Sequence, residues 1–440
     1  MNNLRSVLLT GENPEKKRAE ILESFNDGWA IYERIYEQLP SDDSWYKKPI
    51  PIRHPLIFYY GHTAAFFVNK LNISKFSDKR IDPKTERMVA IGVDEMSWDD
   101  LNEAHYDWPT VAKMHEFRQL CKALVLEFIS TMPIKLPITQ EDPAWIILMG
   151  IEHQHIHLET SSVLIRQQKL ELVKKVFDDC PNKRTEFQDV PKNKLIKVAA
   201  QEIHLGKQDA TYGWDNEYGT ESVALKEFQA SEMKVSNAEY LEFVLAYGYS
   251  QEKYWTEEGW KWVQWVKTDK PTFWVGDLQD FPNMKLRTAA EEVEMPWDWP
   301  VEVNYLEAKA FCNYKSETDG KKTRLITEPE WQAIAKDVKP DTNICLKYFS
   351  TCPVDQFKQG DFYDVYGNVW QWTETFFHPF EGFKVHPAYH DFSTPCFDEK
   401  HNIMTGGSWV SCGNEAIQSA RYAFRRHFFQ FCGIRYVQEE

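Results

Sequence analysis

The chain has 440 residues, 42% of them hydrophobic and 27% charged, the composition of a soluble globular protein too long for one ordinary core. Its net charge of −16 argues against a nucleic-acid surface, which needs clustered Lys and Arg, and no run approaches the roughly 18 apolar residues of a membrane span. Eight cysteines lie scattered without a CxxC pair and the N-terminus has no signal-peptide apolar core, so a reducing cytoplasm is the expected location, with neither a disulfide framework nor a cysteine-type zinc site.

In chain order, "PEKKRAEILESFNDGWAIYERIYEQL" and "VAKMHEFRQLCKALVLEFISTM" carry apolar residues at three-to-four spacing, the period of an amphipathic helix. Between them, "HPLIFYYGHTAAFFVNKL" is apolar along most of its length, as a buried helix is. With the segment after Pro143 these make four long helices, the count for a four-helix bundle. "DDCPNKRTEFQDVPKNK" breaks the pattern with prolines and charge and reads as a linker, which divides the chain into domains at 1–190 and 191–440. Beyond it short apolar stretches such as "KLIKVAA" and "RLIT" alternate with turn-rich segments. Two helices stand out there, "SNAEYLEFVLAYG" after a Ser N-cap and "NYLEAKAFCNYKSETDG" before a Gly stop. The second half is expected to be an irregular α+β domain.

The densest chemistry lies in "GIEHQHIHLETSS". If 143–169 is one helix, then Ile146, Gly150, His153, His157, Thr160 and Leu164 form one stripe, and His155 points away from it. An i,i+4 histidine pair lets one helix supply two metal ligands. The competing reading is a pair of hydrogen-bonded core histidines or a solvated face. Glu159 follows closely enough to orient a ligand histidine or a water by hydrogen bonding. His62 sits in the strongly apolar "FYYGHTAAFF", where an unpaired imidazole is costly to bury, and a ligand role removes that cost. Three neutral histidines leave open positions on a metal, the mark of a catalytic rather than a closed structural site. His54, followed by Pro55, is read as structural.

His62 followed by His153-x3-His157-x-Glu159 resembles the iron site of the DinB-like domain in the ergothioneine/ovothiol sulfoxide synthase family. Independently, "KVSNAEYLEFV", "KKTRLITEPEWQAIAK", "YGNVWQWTET" and "GGSWVSCGNEAIQSARYAFRRHFFQFCGIRYV" resemble successive motifs of the formylglycine-generating-enzyme/sulfatase-modifying domain, a C-type-lectin-like fold. The resemblance thus implies a multidomain protein, an all-α DinB-like four-helix bundle followed by an α+β C-type-lectin-like domain. "RHPLIFYYGHTAAFF" and "GVDEMSWDDLNEAHYDWP" are similar to the branch that joins cysteine to histidine itself, giving 5-histidylcysteine sulfoxide on the way to ovothiol. The ergothioneine branch uses trimethylated histidine (hercynine) instead. Fused members of the ovothiol branch continue into a methyltransferase domain; this chain stops at Glu440, so a separate methyltransferase is expected.

What the resemblance implies is Fe(2+) on His62, His153 and His157, with L-cysteine, L-histidine and O2 as the small-molecule substrates and neither nucleic acid nor membrane as partner. Both amino-acid substrates are zwitterions. "SARYAFRRHF", which the resemblance places at the substrate pocket, offers Arg421, Arg425 and Arg426 to a carboxylate, the alternative being a solvated basic patch. Asp94 or Glu95 is available to an ammonium group, or lies in a solvated loop. The family also implies a tyrosine near the iron as proton donor, but in "FFHPFEGFKVHPAYHDF" the Pro-x-x-Gly-Phe turn carries Phe380. Tyr389, Tyr422 and His378 remain for that role. A zinc-dependent DinB-like thiol S-transferase is the competing enzyme class, and it leaves the second half of the chain without a purpose.

Overall fold

The structure of the protein, a computed structural model, describes residues 4–90 and 107–439. Four long helices build the first half: α1 (Pro14–Ile35), α2 (Leu56–Ile73), α3 (Val111–Thr131) and α4 (Pro143–Gln167). Local chemistry starts them where the sequence predicts. Asn13 caps α1 by accepting from the Glu15 and Lys16 amides, Thr110 caps α3 through the Lys113 amide, and Pro143 occupies the first turn of α4. Helix α4 ends at Gln167, two residues short of the expectation, because Gln168 turns extended.

α2 packs on α3 and α4, and α1 packs on the same two, the adjacency of a four-helix bundle. α2 and α4 approach closely at Gly150, where a Cβ would meet the Phe67 ring at 2.2 Å. That close approach brings His62 opposite His153 and His157.

The second half mixes short strands and helices. One antiparallel sheet has the order β1 (Leu195–Val198), β2 (Phe228–Ser231), β8 (Tyr436–Gln438), β3 (Thr323–Leu325), with Val437 opposite both Ala230 and Arg324. The other runs β6 (Tyr422–Arg425), β5 (His401–Thr405), β4 (Trp370–Phe376), β7 (Cys432–Gly433), its last pair parallel. Helices α5 (Asn237–Leu245), α6 (Glu257–Val266) and α7 (Tyr305–Asp319) accompany them, and the Gly320 stop takes φ +65°, open to glycine without strain. The architecture is therefore a helical bundle followed by an α+β domain, as the sequence predicts. All eight cysteines are free, and among the described residues no helix is long and apolar enough to cross a membrane.

α4 is buried on nearly its whole circumference, well beyond the single stripe that its spacing predicts. One face meets the bundle. The opposite face, at Glu152, His155 and Glu159, meets the second domain. Glu152 Oε2 accepts from the Asn414 amide at 2.8 Å, and Glu159 accepts from Trp370 Nε1 at 2.7 Å and Ser411 Oγ at 2.9 Å. A buried carboxylate needs such donors, and the second domain supplies them.

Candidate metal centre

His62 projects from α2 toward His153 and His157 on α4, and one ring nitrogen from each lies within 4.8 Å of the other two. All three are buried. Among the described residues, the Nδ1 atoms of His153 and His157 have no hydrogen-bond partner. Buried imidazole nitrogens left unpaired cost free energy, and coordination of a cation is one way buried imidazoles are satisfied. His62 Nδ1 lies 2.6 Å from the Val89 carbonyl oxygen. A carbonyl can only accept, so Nδ1 carries the proton and Nε2 is the nitrogen with a lone pair, the tautomer and outer support usual for a ligand histidine. Burial, with His157 and His62 beside it, pushes His153 well below the ordinary imidazole range, and burial with His62 does the same to His157. Both are neutral at pH 7, the form that ligates. Donor set, burial and protonation all fit a divalent metal bound by three histidines with positions to spare.

The Phe66 ring lies flat on His153 at 3.5 Å and restrains its rotation. A cavity of about 370 Å³ opens from His62 and His157 and is walled by both domains. The bundle contributes Lys70, Asn69, Arg87 and Glu86, and the second domain Tyr389 and Asp391. Lys70 donates to the Ala388 carbonyl at 2.8 Å, and its ammonium sits 3.6 Å above the Tyr389 ring. Burial lowers Lys70 to about 8, with Asp391 opposing the shift. One lysine of the bundle thus ties down the loop that carries the tyrosine.

The other sequence candidates separate from this cavity. His155 is buried on the opposite face, its Nδ1 3.0 Å from Glu152, neither near the triad nor in water. Glu159 does not orient a ligand histidine, because its two oxygens are taken by Trp370 and Ser411. Arg421 is no substrate clamp: it is 2% exposed, paired with Glu328 at 2.7 and 3.2 Å and stacked on Phe380 at 3.7 Å. Breaking such a buried pair costs roughly 3–5 kcal/mol, so its role is structural. Arg426 is held by Glu258, Asn402 and the Glu399 carbonyl. Arg425 lines a separate cleft beside Ile156 and Phe428. Arg421 and Arg426 flank strand β6 and Arg425 ends it, and none of the three lines the cavity at the histidines.

Among the proton-donor candidates, Tyr422 is buried between Trp214 and Asn414, and His378 is half-exposed with Nε2 2.8 Å from Glu221. Only Tyr389 of the three lines the cavity, its ring centroid 6.3 Å from that of His153. His54 stacks on Phe58 at 4.3 Å just before α2 begins. Asp94 and Glu95 lie outside the described residues. Lys70, Arg87 and Asp391 were missed in the sequence. Lys70 was accessible, because it follows His62 by eight residues on the same face of a helix. Nothing local marks the other two.

Glu159 carries a consequence for stability. Burial raises it from 4.5 to about 7, against the pull of Ser411 and Trp370. The folded state therefore keeps a proton that the unfolded chain releases above about 4.5, and the stability from this group is full below that pH and lost as pH rises through 7. Glu159→Gln keeps an acceptor for Trp370 and never ionises. On metal-free protein, its Tm is expected to match wild type near pH 5 and to exceed it by a few degrees at pH 8, the difference growing by at most about 1.4 kcal/mol per pH unit. A constant offset at every pH would refute the account.

Comparison with known proteins adds an independent line. Residues 183–440 match the family profile described as Sulfatase-modifying factor enzyme 1-like domain, and residues 24–161 match that of the DinB superfamily. Ergothioneine biosynthesis protein 1 of Neurospora crassa is 22% identical across 87% of this chain and 53% of its own length. Hercynine oxygenase of Mycobacterium tuberculosis is 28% identical across 50% of this chain and 55% of its own, and that of Mycolicibacterium thermoresistibile is 24% identical across 88% and 87%. The chain spans about half the length of the first two.

Proposed function

We propose, on the premise that the chain belongs to the family of the Sulfatase-modifying factor enzyme 1-like domain, that it is a non-haem Fe(II) sulfoxide synthase. It uses O2 to join the cysteine sulfur to the imidazole carbon of histidine, giving 5-histidylcysteine sulfoxide. The observation that carries this reading is the cluster of His62, His153 and His157 at the base of a cavity walled by both domains. The relatives, whose names concern ergothioneine biosynthesis and hercynine, support the sulfoxide synthase class. They also favour a second reading, in which the histidine substrate is trimethylated.

Iron held by the three histidines would seat the cysteine thiolate and relay to dioxygen the four electrons that the thiol and the imidazole C–H give up as the sulfoxide and water form. The protein's own residues do the rest. Val89 fixes the tautomer of His62, and Phe66 fixes the plane of His153. Arg87, in the wall of the cavity, offers a guanidinium to an amino-acid carboxylate, and Asp391 offers a carboxylate to an ammonium group. Tyr389 presents a phenol to the reacting atoms and delivers the proton that directs the reaction toward the coupled sulfoxide. Burial of the cavity floor keeps water from competing for the same atoms.

Substrate choice follows from physical differences between the two amines. A primary ammonium forms hydrogen bonds with Asp391, whereas a trimethylammonium has no N–H and is held by ring faces such as Phe66 and Tyr389. With Fe(II), air, cysteine and equimolar histidine and trimethylhistidine, mass spectrometry is expected to find the coupled histidine sulfoxide in excess. Dominance of the trimethylated product would assign the enzyme to the second reading. Cysteine sulfinate alone would make it a thiol dioxygenase, and turnover with zinc but not iron would move it to the thiol S-transferases.

A further inference from the structure

The far end of α4 meets the second domain around another cavity, of about 590 Å³, which shares no lining residue with the one at the histidines. Arg166, at its edge, lies roughly 14 Å along the helix from His157 at 1.5 Å per residue. The walls are aromatic. Trp262 and Trp265 come from α6, Phe273 and Phe429 from the loops beside it, and Ile52 from the bundle closes the other side. Phe429 stands 6.3 Å from Trp262 and 6.1 Å from Phe273, centroid to centroid. Trp265 is 58% exposed, a large apolar area to leave at the mouth of a groove.

Three cations line this space, Arg166, Lys169 and Arg287, with Glu171 and Glu292 also in its wall. Arg287 is 8% exposed, and among the described residues its guanidinium donates only to main-chain carbonyls: Nε to Thr288 at 2.9 Å, Nη2 to Ala289 at 3.1 Å and to Gln168 at 3.3 Å. Its neighbour Arg166 is matched by both oxygens of Glu302 at 2.7 Å and stacks on Phe273 at 3.8 Å. Arg287 has no such carboxylate among the described residues. Glu292 lies opposite it in the antiparallel pair of short strands Lys285–Arg287 and Glu292–Glu294, and favours its charge without forming an ion pair. A buried cation is normally paired, and among the described residues Nη1 of this one has no hydrogen-bond acceptor, beside a ring-lined hollow of the size that holds small molecules.

We propose that this cavity is a binding site for a small aromatic carboxylate, separate from the candidate metal centre. The planar ring lies between Trp262, Trp265, Phe273 and Phe429, which stack on it or meet its edge. The carboxylate accepts from Arg287 Nη1 and supplies the missing counter-charge. Both parts are needed: an apolar molecule without charge leaves Arg287 unmatched, and a bare inorganic anion leaves the rings unused. The proposal does not depend on the reaction assigned to the histidines.

Calorimetric titration of the full chain with 2-naphthoate and with its neutral analogue 2-naphthamide tests it. The expected result is one saturable site per chain for naphthoate, at least tenfold tighter than for the amide. Arg287→Met should bring naphthoate to the level of the amide, and Trp265→Ala, a change at an exposed position, should weaken both. His153→Ala should leave naphthoate binding unchanged. The proposal is overturned by the absence of saturable binding to the wild type, by equal affinity for acid and amide, or by loss of binding in His153→Ala, which would place the ligand at the histidines. It is also overturned if sedimentation shows a dimer that Trp265→Ala dissolves, because the groove then belongs to a second copy of the chain. If Arg287→Met does not melt cooperatively, the acid-to-amide ratio and Trp265→Ala still decide.

Discussion

His153→Ala and His157→Ala are expected to abolish stoichiometric iron binding, whereas His155→Ala keeps the metal and loses stability. The three positions are neighbours in sequence, yet their surroundings are opposite. His153 and His157 each bring a ring nitrogen within 4.8 Å of one on His62, so removing either leaves two of the three proposed ligands. His155 bonds Glu152, whose other partners are Ser6 and the Asn414 amide. Its removal takes one hydrogen bond from a buried carboxylate, a cost of about 1–3 kcal/mol, and touches no ligand. Anaerobic purification followed by metal analysis and thermal melts separates the outcomes. Equal metal loss in all three variants would refute the assignment, and zinc in place of iron in the wild type would refute the proposed chemistry. Binding should also weaken on acidification, since protons compete for the nitrogens a metal uses.

Tyr389→Phe is expected to redirect the reaction rather than stop it. The phenol is the one sequence-derived proton donor that lines the cavity, and its ring lies beside Phe66, which stacks on His153. Removing the hydroxyl leaves the metal ligands and the cavity shape in place, so O2 consumption continues while cysteine sulfinate replaces the coupled sulfoxide as the main product. General acid catalysis is worth roughly 100-fold or more, so the ratio of products should shift by at least tenfold. Lys70→Met should shift the same ratio to a smaller extent without loss of metal, because Lys70 holds the tyrosine loop through Ala388. An unchanged product ratio in Tyr389→Phe would show that another group delivers the proton.

The histidine cluster was the most legible part of this protein, for a physical reason. Helical periodicity converts sequence spacing into direction, so an i,i+4 pair on an apolar stripe states its own geometry. The same periodicity carries from His62 to Lys70, eight residues further along the same helix. The arginines misled because composition marks a basic run without showing its partners. Arg421 has the look of a substrate clamp until Glu328, which precedes it by more than ninety residues, is folded against it. Glu159 misled in the same way, since its donors come from Trp370 and Ser411 in the other domain.

By itself the sequence determined the helical first half, the mixed second half, and the convergence of three histidines, because each rests on local periodicity or on the cost of burying an imidazole in an apolar helix. Only the tertiary structure decided which tyrosine faces the histidines, which charged groups wall their cavity, and that α4 is buried on both faces. Those outcomes depend on contacts between residues hundreds of positions apart, such as Lys70 with Ala388, and no local pattern encodes the partner a buried charge will find.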